Sequence, residues 1–463
     1  MVRRAGRRLP PRTAARGDLR DRGTRRFRRQ GGRAARGAGD PGADGGGIPG
    51  RQRRGAGGGA VSALGSLSPS PALRVSQRPE ARRARSLHAP RWNLLTPAWL
   101  GVIAALVLSV VGVEVISTTD TPRAARQAVF LVVAILTGTV MAILPERWLR
   151  RAAWPALIAS ILLLLFVLLP GVPEWLVRPR NGSRRWINLG ITDFQPSELA
   201  KIAWVLVMAA WLRMDDAHRS LPGLLVPFGI TAIPLVLVLV EPDLGSSLLF
   251  VPALLAMVLA AGARKRHLAA LVLIGAVAAP LAYPMLRPHQ RERIDALIAQ
   301  IKGDDRYTRD IGFQADRAMT LAGAGGVWGA GEERARALVV HNGLPEEHND
   351  MVFAVVACRW GLMGGLAVCG AVLLLTAGGL ATAASSRDPF GRLVVVGIVS
   401  MIAAQAIVNV GMTVGVLPIT GMTLPFVSYG GSSLVASWMM IGLVVGVGLR
   451  KPRIFERPSF EFA

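Results

Sequence analysis

Ten apolar runs, each long enough to cross a bilayer, divide this 463-residue chain and leave little else to fold. They fall at about 97–117, 125–145, 152–170, 198–213, 222–240, 245–262, 267–286, 351–382, 391–414 and 425–449. The run at 198–213 is short and reaches spanning length only if its helix begins near Pro196. The chain is 51% hydrophobic with mean hydropathy +0.41, too apolar for a soluble domain. These features predict an all-α polytopic membrane protein, with one long connector at 287–350.

The net charge of +25 sits mostly outside the apolar runs. Residues 1–92 hold 23 Arg and no Lys, against four Asp and one Glu. This stretch is rich in Gly, Ala and Pro and lacks a periodic apolar face. It therefore reads as a disordered tail that cannot bury enough surface to offset chain entropy. It also lacks the apolar core of a secretory signal. A cytoplasmic tail lying against anionic lipid is one reading, and a start codon placed upstream of the true one is another. No nucleic-acid partner is expected. The membrane domain is taken as 93–455. Its two cysteines, Cys358 and Cys369, would lie ~16 Å apart on a helix, too far for a disulfide.

Basic residues set the orientation. One alternate set of connectors carries Arg147, Arg150 and Arg151; Arg213 and Arg219; Arg264, Lys265 and Arg266; Arg387 and Arg392; and Arg450, Lys451 and Arg453. Positive charge marks the cytoplasmic side, so both termini are expected there. The opposite connectors, 118–124, 171–197, 241–244, 287–350 and 415–424, are then extracytoplasmic. One of them breaks the rule: Arg178, Arg180, Arg184 and Arg185 crowd into 171–197. Cations on the side that normally lacks them point to an anionic ligand. In the long connector, Ile294 to Gly303 has helical spacing, and Gly312 to Gly331 continues with turn-permitting glycines. This connector is expected to be structured.

Polar clusters sit at the same ends of the predicted helices. Pro196 suits a first helical turn, which puts Glu198 and Lys201 on one face. A locally neutralised ion pair explains them; so does a functional site at membrane depth. Pro242 is expected to open a helix with Asp243 in its first turn, where capping and catalysis account for the carboxylate equally. Asp350 could be no more than the N-cap of the run that follows. The segment Ser428-Tyr429-Gly430-Gly431-Ser432-Ser433 is placed inside a helix, its small residues serving close packing or its hydroxyls a polar head group. No metal-ligand spacing, phosphate-cradling glycine loop or nucleophile elbow is present.

Five segments, in order, resemble the SEDS family of bacterial growth and division proteins, FtsW, RodA and SpoVE. They are NGSRRWINLGITDFQPSELAK, EPDLGSS, GFQADRAMTLAGAGGVWGAG, LPEEHNDMVFAV and LPITGMTLPFVSYGGSSL. The resemblance covers essentially residues 95–450, and the last segment leans toward FtsW and SpoVE rather than RodA. The resemblance implies ten spans in a GT-C-like fold and a peptidoglycan glycosyltransferase polymerising lipid II, for cell division or cell shape, on the outer face of the bacterial plasma membrane. It implies a class B penicillin-binding protein and divisome or elongasome proteins as partners. The family's essential carboxylate maps onto Asp350, and its basic and acidic residues after the third span onto Arg185, Glu198 and Lys201. Two departures stand out. The family usually has Gln at the place of Glu241, and commonly Glu-Glu-Leu-Gly where this chain has Cys358-Arg359-Trp360-Gly361.

The implied chemistry needs one base to activate a sugar hydroxyl and a cationic cradle for departing undecaprenyl pyrophosphate. Asp350 is the expected base, with Arg185 and Lys201 on the diphosphate and Glu198 fixing Lys201. Trp186, Asp243, His348, Ser428 and Ser432 complete the expected substrate-binding set. A divalent cation, Mg or Mn, at the diphosphate is compatible, though no motif demands one. Two rival readings use the same features: a lipid II flippase, and a non-catalytic scaffold for the transpeptidase.

Overall fold

The computed structural model describes residues 94–180, 183–190, 192–214, 220, 222–285, 288–302 and 312–450. The expected tail, 1–92, lies outside the described residues. The remainder is mostly helical: α1 (Ala98–Thr119), α2 (Thr121–Ile143), α3 (Glu146–Leu168), α4 (Pro196–Met214), α5 (Leu225–Val240), α6 (Leu244–Ala260), α7 (Lys265–Ala282), α8 (Pro288–Ile301), α9 (Phe313–Ala324), α10 (Glu332–Asn342), α11 (Val352–Ser385), α12 (Pro389–Thr413) and α13 (Gly431–Leu449).

Among the described residues seven helices are long and apolar enough to cross a membrane: α1, α2, α3, α5 with the 3-10 turn before it, α11, α12 and α13. Helices also cover the other three predicted runs, but α6 has only 17 residues, and α4 and α7 carry charge within their lengths. For α4 the reason is its surroundings. It begins at Pro196, as expected, and 14 of its 19 residues are buried, so it is wrapped by protein on nearly every side. Charged side chains in a membrane helix are tolerated where they face protein rather than lipid. By contrast α2 presents Val129, Val132, Leu136, Val140 and Ile143 outward, the stripe of a lipid-facing helix.

The most extensive helix pairing, α2 with α13, depends on glycine. A Cβ on Gly442 would collide with the Gly138 backbone, and one on Gly446 would sit 2.7 Å from the Ala142 carbonyl. Close approach of this kind takes the place of hydrophobic driving force in lipid. Three aspartates cap helices on backbone N–H groups: Asp120 on α2, Asp243 on α6 and Asp388 on α12.

Three expectations need correction. Pro242 does not open α6 but lies in the turn before it, and Asp243 is the N-cap rather than a first-turn residue. The chain is not wholly α-helical: the arginine-rich connector forms an antiparallel sheet of β1 (Val177–Arg180), β2 (Ser183–Asn188) and β3 (Asp193–Phe194), in that order. Arg180 pairs with Ser183, and the intervening Asn181-Gly182 is the strongest short hairpin signal a sequence can carry. Nor does the whole Ser428–Ser433 segment lie inside a helix: Ser428–Gly430 precede it, and only Gly431–Ser433 form its first turn. α13 begins at Gly431, after a turn in which Phe426 has φ 68° and Gly430 φ 157°. The described parts of the long connector are structured, as expected, and hold α8, α9 and α10.

Candidate functional site

The turn between α12 and α13, residues 417–430, organises one end of the helices. Asn409 on α12 donates Nδ2 to the carbonyls of both Met422 (2.6 Å) and Asp350 (2.7 Å). Gln405, one turn earlier, donates to Thr423. Ser428 Oγ accepts from Leu424 N (2.7 Å) and donates to the Asn349 carbonyl (2.5 Å). From α2, Gln127 donates to the Ser428 carbonyl and accepts from Gly430 N. The segment carrying Asp350 is thus tied to the turn on both sides of the acid. The Ser428 hydroxyl is spent on that tie.

Asp350 does not act as a helix cap. The N-cap of α11 is Met351, with no side-chain cap bond, while Asp350 Oδ1 is buried and accepts no hydrogen bond. A Cβ on Gly421 would lie 3.8 Å from Asp350 Oδ2, so the turn covers the carboxylate. Burial, then the charge of Glu346, pushes this carboxyl up to about 7, against the pull of its own backbone N–H, Arg293 and His348. Its neighbour His348 faces Arg123 of α2 (Nδ1 to Nη1 3.4 Å) and Glu347, and stacks edge-on against Tyr429.

A second cluster lies at the start of α6. Arg185 Nη1 is 3.4 Å from Asp243 Oδ2, with its guanidinium over the Trp186 ring and Nε donating to Ser183. Asp243 also accepts from Gln195 Nε2 and from the Ser246 backbone and hydroxyl. Ser432 Oγ accepts from Gln195 N, bringing the first turn of α13 to the same cluster. Of the four arginines, Arg185 joins this cluster, Arg184 bonds the Val172 carbonyl and Arg178 is exposed. Glu241, beside Asp243, is fully buried, and neither carboxylate oxygen has a hydrogen-bond partner. Burial, with Asp243 adding to it, pushes the Glu241 carboxyl up to about 9 despite Arg185. At neutral pH it is an uncharged acid, which resembles a Gln amide in shape and in offering both a donor and an acceptor.

Glu198 and Lys201 pair at 2.9 Å within α4, both buried, with Lys201 only 1% exposed. The described contacts do not connect this pair to Arg185. The residue that sequence reasoning missed is Arg293, on α8. It donates Nη1 to the Ile419 carbonyl (3.1 Å), two residues from the Gly421 that covers Asp350. The only sequence signal was a cation on the same side as the arginine-rich connector. Among the described residues no three His, Cys, Asp or Glu side chains converge. Asp243 is already engaged by Arg185, Gln195 and Ser246, which leaves it little capacity to ligate a divalent ion.

The departure at Cys358–Gly361 coincides with a break in α11. Gly361 has φ 70° and ψ −165°, and the glycine-rich segment after α9 fills the gap with its backbone. Ala330 N and Gly331 N donate to the carbonyls of Cys358 and Arg359. Leu362 N and Met363 N donate to those of Gly326 and Val327. Arg359 then spans to Glu332 of α10 (3.0 Å) and to Glu114 and Thr118 of α1. At this break the chain places a cation held by acids of two other helices.

Comparison with known proteins agrees with this architecture. The FtsW/RodA/SpoVE family model, described as cell cycle protein, matches residues 90–451. A probable peptidoglycan glycosyltransferase FtsW from Marinobacter nauticus is 31% identical over 374 residues, covering 77% of this chain and 90% of that protein. Stage V sporulation protein E from Bacillus subtilis is 33% identical over 306 residues, covering 65% and 80%. Among solved structures, one described as structural coordination of polymerization and crosslinking by a peptidoglycan synthase complex superposes with TM-score 0.65 at 31% identity, covering 76% of this chain and 97% of that one. The rod shape-determining protein RodA of Thermus thermophilus gives 0.56 at 29% identity, covering 76% and 96%. With the family model matching residues 90–451, and with buried Asp350 and the Arg185–Asp243 pair at one end of its helices, this multi-pass membrane protein belongs to the FtsW/RodA/SpoVE family.

Proposed function

We propose that the protein is a peptidoglycan glycosyltransferase that polymerises lipid II, with Asp350 as its general base. The observation that carries this reading is the state of Asp350: buried, with one oxygen free of hydrogen bonds, and with its carboxyl pushed up to about 7. A base is most effective when its pKa lies near the working pH. Asp350 takes the proton of the acceptor GlcNAc 4-hydroxyl as that oxygen attacks C1 of the donor. The C1–O bond to the diphosphate breaks, and undecaprenyl pyrophosphate leaves as an anion. One displacement converts the α-linked donor into a β-1,4 bond. Because the leaving group is already stable as an anion, it needs cations rather than a general acid, and Arg185 supplies one. Trp186 stacks on that guanidinium, Asp243 orients it, and His348 and Ser428 hold the segment bearing Asp350. Ser432, through Gln195, links α13 to the same cluster.

The chain is further read as ten spans in a GT-C-like arrangement, with α4, α6 and α7 completing the set and both termini cytoplasmic. The positive-inside distribution of the short connectors supports this. Asp350 and Arg185 then face the extracytoplasmic side, where a class B penicillin-binding protein would cross-link the product. The test is polymerisation of labelled lipid II by the purified protein in detergent. Asp350→Asn should remove activity while leaving the thermal unfolding transition in place. Retained activity would exclude Asp350 as the base. A flippase would need sealed vesicles, and a scaffold would make no polymer under any of these conditions.

A further inference from the structure

We propose that Arg293 is the second cation of the diphosphate site, acting with Arg185 in the place expected for Lys201; this rests on the glycosyltransferase reading above. Lys201 is 1% exposed and held by Glu198 at 2.9 Å, so reaching a lipid diphosphate would mean breaking a buried ion pair. Two other cations at this end are also committed, Arg123 to Asp120 and His348, and Arg359 to Glu114 and Glu332.

Arg293 differs. Among the described residues it has no carboxylate within 4.0 Å and donates one N–H, to the Ile419 carbonyl. A guanidinium carries five N–H donors in a planar fork, a geometry suited to bidentate binding of phosphate oxygens. Arg293 lines a shallow cleft, open to solvent, between α8, the start of α9 and Leu417–Ile419. The Ile419 contact places it against the same turn that covers Asp350 at Gly421 and that packs on the start of α6 at Gly245, next to Asp243. Burial and the like charge of Arg185 both act against the Arg293 cation, and Asp350 and Asp243 favour it. Two arginines held within each other's field, with Asp243 alone paired to one of them, form a site that a doubly charged anion would relieve. The leaving group would then part from the sugar beside the base that activates the acceptor.

The test compares binding of farnesyl diphosphate and farnesyl monophosphate to the full chain in detergent, for wild type, Arg293→Ala, Arg293→Lys and Asp350→Asn. Wild type and Asp350→Asn should prefer the diphosphate by about tenfold or more, the scale of one charge-assisted contact. Arg293→Ala should lose that preference, and Arg293→Lys, which keeps the charge without the fork, should retain part of it. Unchanged preference in folded Arg293→Ala would overturn the proposal, as would a wild type that does not discriminate. Should Arg293→Ala fail to fold, a Lys variant with full wild-type preference would overturn the bidentate role. If Arg293-dependent preference is present but wild type makes no polymer, only the polymerase reading fails.

Discussion

Replacing Glu241 by Gln should stabilise the protein, and by more as the pH rises. In the folded chain its carboxyl is pushed up to about 9, first by burial and then by Asp243, from an ordinary value of 4.5. Folding therefore draws a proton onto Glu241 at any pH between these values. A raised carboxyl costs nothing below about 4.5, where it is protonated in both states, and stability is lost progressively as pH climbs toward 9. Each pH unit is worth about 1.4 kcal/mol, so at pH 7.5 the cost reaches about 4 kcal/mol at most. Gln cannot ionise in either state and escapes that cost, while keeping the shape of the protonated acid. The assay is thermal unfolding in detergent of wild type and Glu241→Gln at pH 5.5 and 8.5. The Gln variant should gain over wild type at both values, with the larger gain at pH 8.5, and polymerise lipid II at a similar rate. An advantage that stays constant between the two pH values would show that Glu241 is not held protonated, and the reasoning from its burial would fail.

Two further outcomes follow from the same geometry. Because Asp350 must be ionised to act as a base, polymerisation should fall about tenfold per pH unit below about 7 and level off above it; a flat profile from pH 5.5 to 8.5 would remove Asp350 from that role. Gly361→Ala should destabilise the fold by at least ~2 kcal/mol, because φ 70° disfavours any side chain and the new Cβ would strike the Val327 carbonyl and Gly329 N. Unfolding of that variant at the wild-type temperature would refute the account of the α11 break.

The apolar runs, with the basic residues between them, were enough to read a polytopic helical membrane protein, because hydrocarbon tolerates so few alternatives. The same sequence placed Asp350 and Asp243 at helix ends and Arg185 in a connector between spans, and set the start of α4 at Pro196. It left the arginine-rich connector without strands, although Asn181-Gly182 carried the hairpin signal. Long-range packing was out of reach. Nothing local in Asn409 or Gln127 says that their amides will pin the turn between α12 and α13. Nor does local pattern reveal that Ser428 is occupied on both sides, or that Lys201 is sealed inside α4. The break at Gly361 is invisible for the same reason, since it requires the 325–331 backbone to supply the missing hydrogen bonds. Arg293 lies in a stretch whose pattern is only that of an amphipathic helix, and its position beside Asp350 comes from the fold of α8 against the 417–421 turn. What the sequence determined by itself are the properties that depend on solvent and chain period, namely which segments enter the membrane and which face they turn to it. The tertiary structure decided which charges are neutralised and which remain open to a ligand, because that depends on how the folded chain buries each group, and partners such as Glu114 and Arg359 are far apart in sequence.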